Sequence, residues 1–178
     1  NLGRSGIPPT DPSAVLRLNP STLSQAFGQQ LLDSGAHLKP VFEQRLLPLI
    51  SERLLDPSLQ RSNSGSIGLG SALSLFLAAH RKAPKLVAEV GTYIGNSAAA
   101  LGCGAGMAQQ PVQLITCDLH PCTQQPFAGL TLPEGSKAQV VQGTSTKMFE
   151  FLASKQARLD MLHLDGRLMK EDLKLLGQ

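Results

Sequence analysis

A glycine-rich turn carries the clearest chemical signal in the sequence. Residues 89–97 read Glu-Val-Gly-Thr-Tyr-Ile-Gly-Asn-Ser and overlap the end of a short apolar run, 86–90. Gly91 lets the backbone turn sharply and lets a ligand approach it closely. A helix that begins near Asn96 offers unpaired N–H groups to polar ligand atoms. The G-x-x-x-G spacing differs from the G-x-G-x-x-G of dinucleotide sites, and Glu89 would repel a pyrophosphate, so the turn favours a cationic ligand. The alternative is a tight strand–helix turn without a ligand.

A second acidic residue, Asp118, ends the next apolar run, 112–117. Ligands of open α/β sheets bind beyond the carboxyl ends of the strands. A carboxylate at that place suits a bidentate grip on ribose hydroxyls. Asp118 alone is also compatible with a solvated turn, but its combination with the glycine turn favours a ligand site.

Alternating strands and helices must position these residues. Apolar runs predict buried parallel strands at 86–90, 112–117, 138–142 and 159–164. Helical patterns follow at 96–107, 146–153 and 170–176. This alternation predicts an α/β fold with a doubly wound parallel sheet. Prolines after Asp118 disfavour a regular helix before the third strand, and we expect at most a short helical turn before Pro126.

The first third of the chain has a different character. Residues 1–20 are rich in Gly, Ser and Pro and predict a flexible arm. We expect a helical N-terminal extension at 21–64, followed by the α/β domain at 65–178. Apolar spacing predicts helices at 21–32, 41–55 and 67–80. Pro48 marks a kink or boundary, and the segment 41–55 is interpreted as a packing helix, with a substrate lid as the alternative.

Composition excludes several classes of function. The 178 residues carry a net charge of +3 without a cluster of Lys and Arg, and only 4% are aromatic, so we expect no nucleic-acid partner. No apolar run reaches the ~18 residues of a membrane span, and no signal peptide is visible, so we expect no membrane partner. Cys103, Cys117 and Cys122 form no C-x-x-C pair. They are interpreted as incidental thiols of a reducing compartment, which predicts a cytoplasmic protein.

Three segments resemble a known family. Residues 89–97, 114–121 (Leu-Ile-Thr-Cys-Asp-Leu-His-Pro) and 159–165 (Leu-Asp-Met-Leu-His-Leu-Asp) are similar to the class I S-adenosylmethionine-dependent methyltransferases. Within that superfamily, they most resemble the catechol and caffeoyl-CoA O-methyltransferases and related small-molecule enzymes with a strand ending in Asp-Gly. The resemblance covers about 65–178. It implies a Rossmann-like doubly wound sheet, S-adenosyl-L-methionine as cofactor and methyl transfer to a small-molecule acceptor, mostly at oxygen, with a homodimer as an open alternative.

The resemblance also implies roles for individual residues. Those expected at the methionine end of the cofactor are Glu89, Gly91, Thr92, Tyr93, Gly95 and Ser97. Those expected at the ribose and adenine are Asp118, Leu119, His120, Gly143, Thr144 and Ser145. Asp165 falls where metal-dependent members place a catalytic Asp and first Mg²⁺ ligand, and oxygen ligands suit that hard cation.

The chain also departs from the family's pattern. Leu168 stands where metal-dependent members carry Lys and Asp-Gly relatives carry His, and Thr144 stands where many members have an acid. We count four strands where the family has seven, and there is no initiator Met, so we expect a piece of a longer protein that lacks its last strands. A non-catalytic relative that binds cofactor or a partner therefore stays an alternative. A nicotinamide-dependent oxidoreductase is a weaker one, because the G-x-x-x-G spacing and Glu89 oppose it.

Overall fold

The computed structural model describes residues 36–56, 66–120 and 126–177. The predicted arm at 1–20 and helix at 21–32 lie outside the described residues. The expected helical turn before Pro126 would fall on 121–125, which are outside them as well.

Within the described residues the chain alternates helices and strands in the predicted order. In chain order the elements are α1 (Leu38–Val41), a π-helical segment (Phe42–Leu46), α2 (Leu47–Leu55), α3 (Leu69–Lys82), β1 (Leu86–Val90), α4 (Asn96–Gly106), β2 (Gln113–Asp118), β3 (Lys137–Gln142), α5 (Ser145–Ser154), β4 (Met161–Leu164) and α6 (Lys170–Leu176). β4 begins two residues later than predicted. The reason is that Asp160 uses its carboxylate to accept the N–H groups of Lys85 (2.9 Å) and Leu86 (3.0 Å).

The four strands form one parallel sheet in the order β3-β2-β1-β4. β1 lies inside the sheet, and all five of its residues are buried. In the pairing register, Glu89 lies between Thr116 of β2 and His163 of β4. The carboxyl ends of β1 and β2 therefore meet at one edge, where the glycine turn and Asp118 begin.

Helices cover both faces of this sheet. On one face, α3 and α4 pack Ala79 and Leu101 against Val87. On the other, α5 packs Met148 and Phe149 against Ala88, Ile115 and other apolar strand residues. Since successive strand residues point to opposite faces, the sheet is doubly wound, as predicted. The fold is α/β and compatible with a Rossmann-like architecture.

The segment 38–55 packs beside the sheet rather than on it. Phe42 and Ile50 join Phe76 of α3 in a separate buried cluster, which confirms the interpretation of a packing helix. Pro48 is the second residue of α2, directly after the π-helical segment, so the predicted kink or boundary falls where the chain changes from π- to α-helix. No helix in the described ranges is long and apolar enough to cross a membrane.

Candidate functional site

The turn after β1 adopts an unusual backbone shape. Gly91, Tyr93 and Gly95 have φ angles of +98°, +45° and +80°, in the region that favours glycine. The N–H of Gly91 donates to the carbonyl of Cys117 at the end of β2 (2.9 Å). A Cβ on Gly91 would lie 2.6 Å from the carbonyl oxygen of Asp165. The glycine is therefore required both by the turn and by the close approach of the segment after β4.

The Asp118 carboxylate ties this turn to the end of β2. Its Oδ2 atom accepts the backbone N–H of Tyr93 (2.7 Å), and its Oδ1 atom accepts that of His120 (2.9 Å). Each carboxylate oxygen can accept more than one hydrogen bond. Asp118 can therefore hold the turn and still accept hydroxyl groups of a ligand.

A cleft of about 480 Å³ opens at this edge of the sheet. The predicted site residues that line it are Gly91, Tyr93, Asp118, Leu119, His120, Gly143, Thr144, Ser145 and Asp165. Val90, Cys117, Gly166, Arg167 and Met169 complete the lining. The structure thus brings together residues that follow all four strands.

Four predicted site residues do not line the cleft. Glu89, Thr92, Gly95 and Ser97 are buried in or behind the turn. The hydroxyl of Thr92 lies 2.6 Å from that of Thr116 on β2. Their contact with a cofactor stays a prediction, while their contacts here support the shape of the turn.

Glu89 is a fully buried carboxyl beneath the turn. Its Oε2 atom accepts the hydroxyl of Thr116 (2.7 Å), and its Oε1 atom has no hydrogen-bond partner among the described residues. Burial raises the pKa of Glu89 to about 7; the nearby hydroxyls of Ser97 and Thr116 oppose this rise, and the charges of Asp165 and Asp118 add to it. Glu89 therefore exchanges a proton near neutral pH.

The segment after β3 is fixed by a buried acid that the sequence did not single out. Asp172 of α6 accepts the hydroxyls of Ser145 (2.5 Å) and Thr146 (2.6 Å) and the N–H of Met169 (2.7 Å). Burial alone would raise the pKa of Asp172, but these hydrogen bonds outweigh it and hold the pKa below its usual value. Since the Ser145 hydroxyl is committed to Asp172, Ser145 offers a ligand mainly its backbone.

A buried arginine contacts the turn from the opposite side. Arg53 of α2 is only 6% exposed. Its Nη1 donates to the carbonyl of Gly95 (2.8 Å), and its Nη2 donates to those of Pro126 (2.8 Å) and Ala128 (3.0 Å). Burial lowers the pKa of Arg53 from its ordinary value. The helical extension thus reaches the predicted cofactor turn through one side chain.

The sequence contains signals for Arg53 and Asp172, the two residues that the sequence analysis did not single out. Arg53 follows Leu46 and Ile50 at helical spacing, so it continues a buried stripe in which a charge is unexpected. Asp172 is the third residue of α6, where a carboxylate commonly accepts the free N–H groups of a helix start.

The segment after β4 provides less chemistry than the resemblance implied. Asp165 is exposed beside the cleft, and its backbone N–H donates to the carbonyl of Val90 (2.9 Å). Leu168 packs against the apolar cluster beneath α5 and supplies no base. Over the described part of the chain, no three His, Cys, Asp or Glu residues converge on a possible metal position. Asp165 as a metal ligand stays a prediction.

Two further titratable residues lie at the site, His163 on β4 and Cys117 in the cleft lining. His163 is half-buried on β4, burial lowers its pKa, and its Nε2 atom has no partner within the described ranges. Burial raises the pKa of the Cys117 thiol to about 11, so this side chain stays protonated at neutral pH and is no nucleophile. Cys122 lies outside the described residues.

In comparisons with known proteins, the chain matches no family model and no curated protein.

Proposed function

We propose that the cleft binds S-adenosyl-L-methionine and that the protein transfers its methyl group to an oxygen of a small molecule, as class I methyltransferases do. The carrying observation is the Asp118 carboxylate, fixed by two backbone N–H groups at the mouth of a cleft bounded by a left-handed glycine turn. A cleft of about 480 Å³ is in the range of small-ligand sites.

The residues that line the cleft suit the parts of this cofactor. Asp118 retains lone pairs for two ribose hydroxyls. Leu119 is 67% exposed and lies in the cleft lining, where it offers an apolar surface to a flat base. The backbone at 143–145 borders the same space. These features favour a nucleoside between the ends of β2 and β3.

The charges favour a cationic ligand. Two carboxylates, Asp118 and Asp165, and one cation, Arg167, line the cleft, and Glu89 lies buried beneath the turn. The two carboxylates of the lining would repel a pyrophosphate, which weighs against a nicotinamide dinucleotide. When bound, S-adenosyl-L-methionine supplies an electrophilic methyl group on a positively charged sulfur. The contribution of the chain is to hold that ligand and an acceptor in line, by positioning and electrostatics.

Asp165 is the residue best placed to handle the acceptor proton. Asp165 is exposed just after β4 and borders the cleft beside the turn. A carboxylate in reach of a substrate hydroxyl can accept its proton during transfer.

A non-catalytic cofactor-binding relative is the second candidate. It is favoured by Leu168, which packs into the core where relatives carry a base. Under this alternative the cleft binds the cofactor, and no acceptor is methylated.

Titration calorimetry with S-adenosylhomocysteine and, separately, with NAD tests the proposal. We expect saturable binding of the first ligand and none of the second. Binding of NAD without a response to S-adenosylhomocysteine would overturn the proposal. A labelled-methyl assay over small phenols and alcohols then separates an enzyme from the non-catalytic relative.

A further inference from the structure

The position of Arg53 is costly for a charged side chain. Its guanidinium is 6% exposed, and burial lowers its pKa. Burial of an ion disfavours folding unless hydrogen bonds compensate for the lost water. The planar guanidinium offers five N–H donors in a fixed geometry. The carbonyls of Gly95, Pro126 and Ala128 accept three hydrogen bonds from it.

These carbonyls belong to the parts of the fold that shape one side of the turn. Gly95 precedes α4, and its carbonyl also accepts the N–H of Ala99 (2.9 Å). Pro126 packs closely against Gly95: a Cβ added to Gly95 would lie 2.4 Å from the side chain of Pro126. Arg53 therefore fastens α2, the end of the turn and the segment 126–128 to one another.

The other end of the turn is held independently. There the carbonyl of Cys117 and the carboxylate of Asp118 accept the N–H groups of Gly91 and Tyr93. Tyr93 nevertheless keeps a left-handed φ of +45°, which is unfavourable for a non-glycine residue. A strained turn persists only where its surroundings fix it, and here the fixing groups are β2 on one side and Arg53 on the other.

We infer that Arg53 is a positioning residue, which holds the glycine turn in its ligand-binding shape and so couples α2 to the cleft. The identity of the ligand rests on the proposed function, but the effect on the turn does not. Packing alone does not require this residue, because well-packed apolar side chains often replace buried ions without loss of stability. Coupling is reciprocal, so a bound ligand also strengthens the docking of α2.

Three variants separate positioning from packing. Arg53→Met keeps an unbranched, flexible stem but removes the guanidinium and all of its donors. Arg53→Lys keeps the charge but replaces the guanidinium fork by a single ammonium. Arg45→Met removes an exposed arginine of the same helical segment and is the matched control.

Amide hydrogen exchange of the unliganded full chain tests the turn directly. In Arg53→Met we expect exchange at least tenfold faster at Gly95 and Ala99, with Ile115 in the middle of β2 unchanged. Arg53→Lys should be intermediate, and Arg45→Met should match the wild type. Unchanged exchange at the turn in both Arg53 variants would overturn the inference, and so would a uniform increase that includes Ile115. If Arg53→Met does not fold, Arg53→Lys decides.

Calorimetry with S-adenosylhomocysteine then tests the consequence for binding. We expect at least tenfold weaker affinity for Arg53→Met, partial recovery for Arg53→Lys and wild-type affinity for Arg45→Met. Wild-type affinity in Arg53→Met would overturn the inference and leave the proposed function intact. No binding by the wild type would overturn the proposed function, and the exchange experiment would still decide the role of Arg53.

Discussion

The two walls of the cleft are built in different ways. The wall formed by the turn and the end of β2 is held by buried polar groups: Glu89 is fully buried, and Arg53 is 6% exposed. The wall formed by 165–169 is mostly exposed; Met169, for example, is 41% exposed. One wall is therefore fixed by the interior of the fold, and the other belongs to its surface.

This difference has a physical meaning under the proposed function. Polar groups that are fixed before binding lose little entropy when a ligand arrives, and they act in a low dielectric. The turn wall has this property and suits a constant ligand, the cofactor. An exposed wall can change without disturbing the core, which suits the side that faces the acceptor. Substitutions on the turn wall should therefore affect stability and affinity more than those on the exposed wall.

The largest effect is expected from Gly95→Ala. The residue has a φ of +80°, and the new Cβ would lie 2.4 Å from the side chain of Pro126. A left-handed alanine costs about 1–2 kcal/mol, and overpacking costs about 1–3 kcal/mol. We expect the free energy of unfolding, measured in urea, to fall by about 4 kcal/mol.

Gly135→Ala is the matched control for this substitution. Its φ is +81°, but the nearest atom to the new Cβ is 3.4 Å away, on Pro111. Only the backbone cost of about 1–2 kcal/mol should remain. Equal losses in both variants would show that Pro126 yields easily and that the turn wall is not tightly packed.

The second prediction concerns the pH dependence that Glu89 imposes. Its pKa is raised from an ordinary 4.5 to about 7, so the folded state binds this proton more tightly than the unfolded state. The contribution of Glu89 to the free energy of unfolding is therefore complete below pH 4.5 and is lost as the pH rises through 7. At 1.36 kcal/mol per pH unit the loss is about 3 kcal/mol.

Urea unfolding of the wild type and Glu89→Gln between pH 4.5 and 8 measures this loss. The stability of Glu89→Gln relative to the wild type should rise across the range. The pH dependence of the Asp160 contribution has the opposite sign, because the N–H groups of Leu86 and Lys85 lower the pKa of Asp160. Its contribution to stability is therefore lost only as the pH falls below the usual pKa of an aspartate. Asp160→Asn should therefore leave the slope above pH 4.5 unchanged. Parallel curves for wild type and Glu89→Gln would contradict a buried, proton-binding Glu89.

The third prediction concerns ligand affinity on the same wall. Under the proposed function Asp118 makes two hydrogen bonds to ribose, each contributing about 1.5–3 kcal/mol when one partner is charged. Asp118→Ala should weaken the binding of S-adenosylhomocysteine at least tenfold, measured by calorimetry. Asp160→Ala is a close control, since Asp160 also accepts two backbone N–H groups but lies at the opposite edge of the sheet. Unchanged affinity in Asp118→Ala would make Asp118 a turn residue only.

Much of the turn wall was predictable from the sequence, because its signals are local. Glu89, Gly91 and Asp118 stand at fixed distances from apolar runs, and parallel strands bring their carboxyl ends to one edge. The contributions of Arg53 and Asp172 were not predicted, because each depends on the docking of a helix that is distant in the chain. Helical spacing shows that Arg53 is buried, but only the tertiary structure shows which carbonyls it meets.

Burial divides the predicted cofactor residues into two groups. The family resemblance assigned Glu89 and Ser97 to the methionine end of the cofactor; both are buried and do not line the cleft, so their contact with a cofactor stays a prediction. A motif specifies which residues surround a turn, but not which of them face the ligand. The packing of α4 on the sheet decides that, and it has no local signature.

The smallest effect on affinity is expected on the exposed wall, from Asp165→Asn. Within the described residues the backbone N–H of Asp165 donates to Val90, and its carboxylate makes no hydrogen bond. The isosteric amide should therefore leave the fold intact and change S-adenosylhomocysteine affinity less than about threefold, or about 0.6 kcal/mol. Methyl transfer should instead fall by about 10²-fold or more if the carboxylate accepts the acceptor proton. Assays in excess chelator and in added Mg²⁺ separate this role from that of a metal ligand. A fully active Asp165→Asn variant in excess chelator would remove both roles and leave the exposed wall without a catalytic residue.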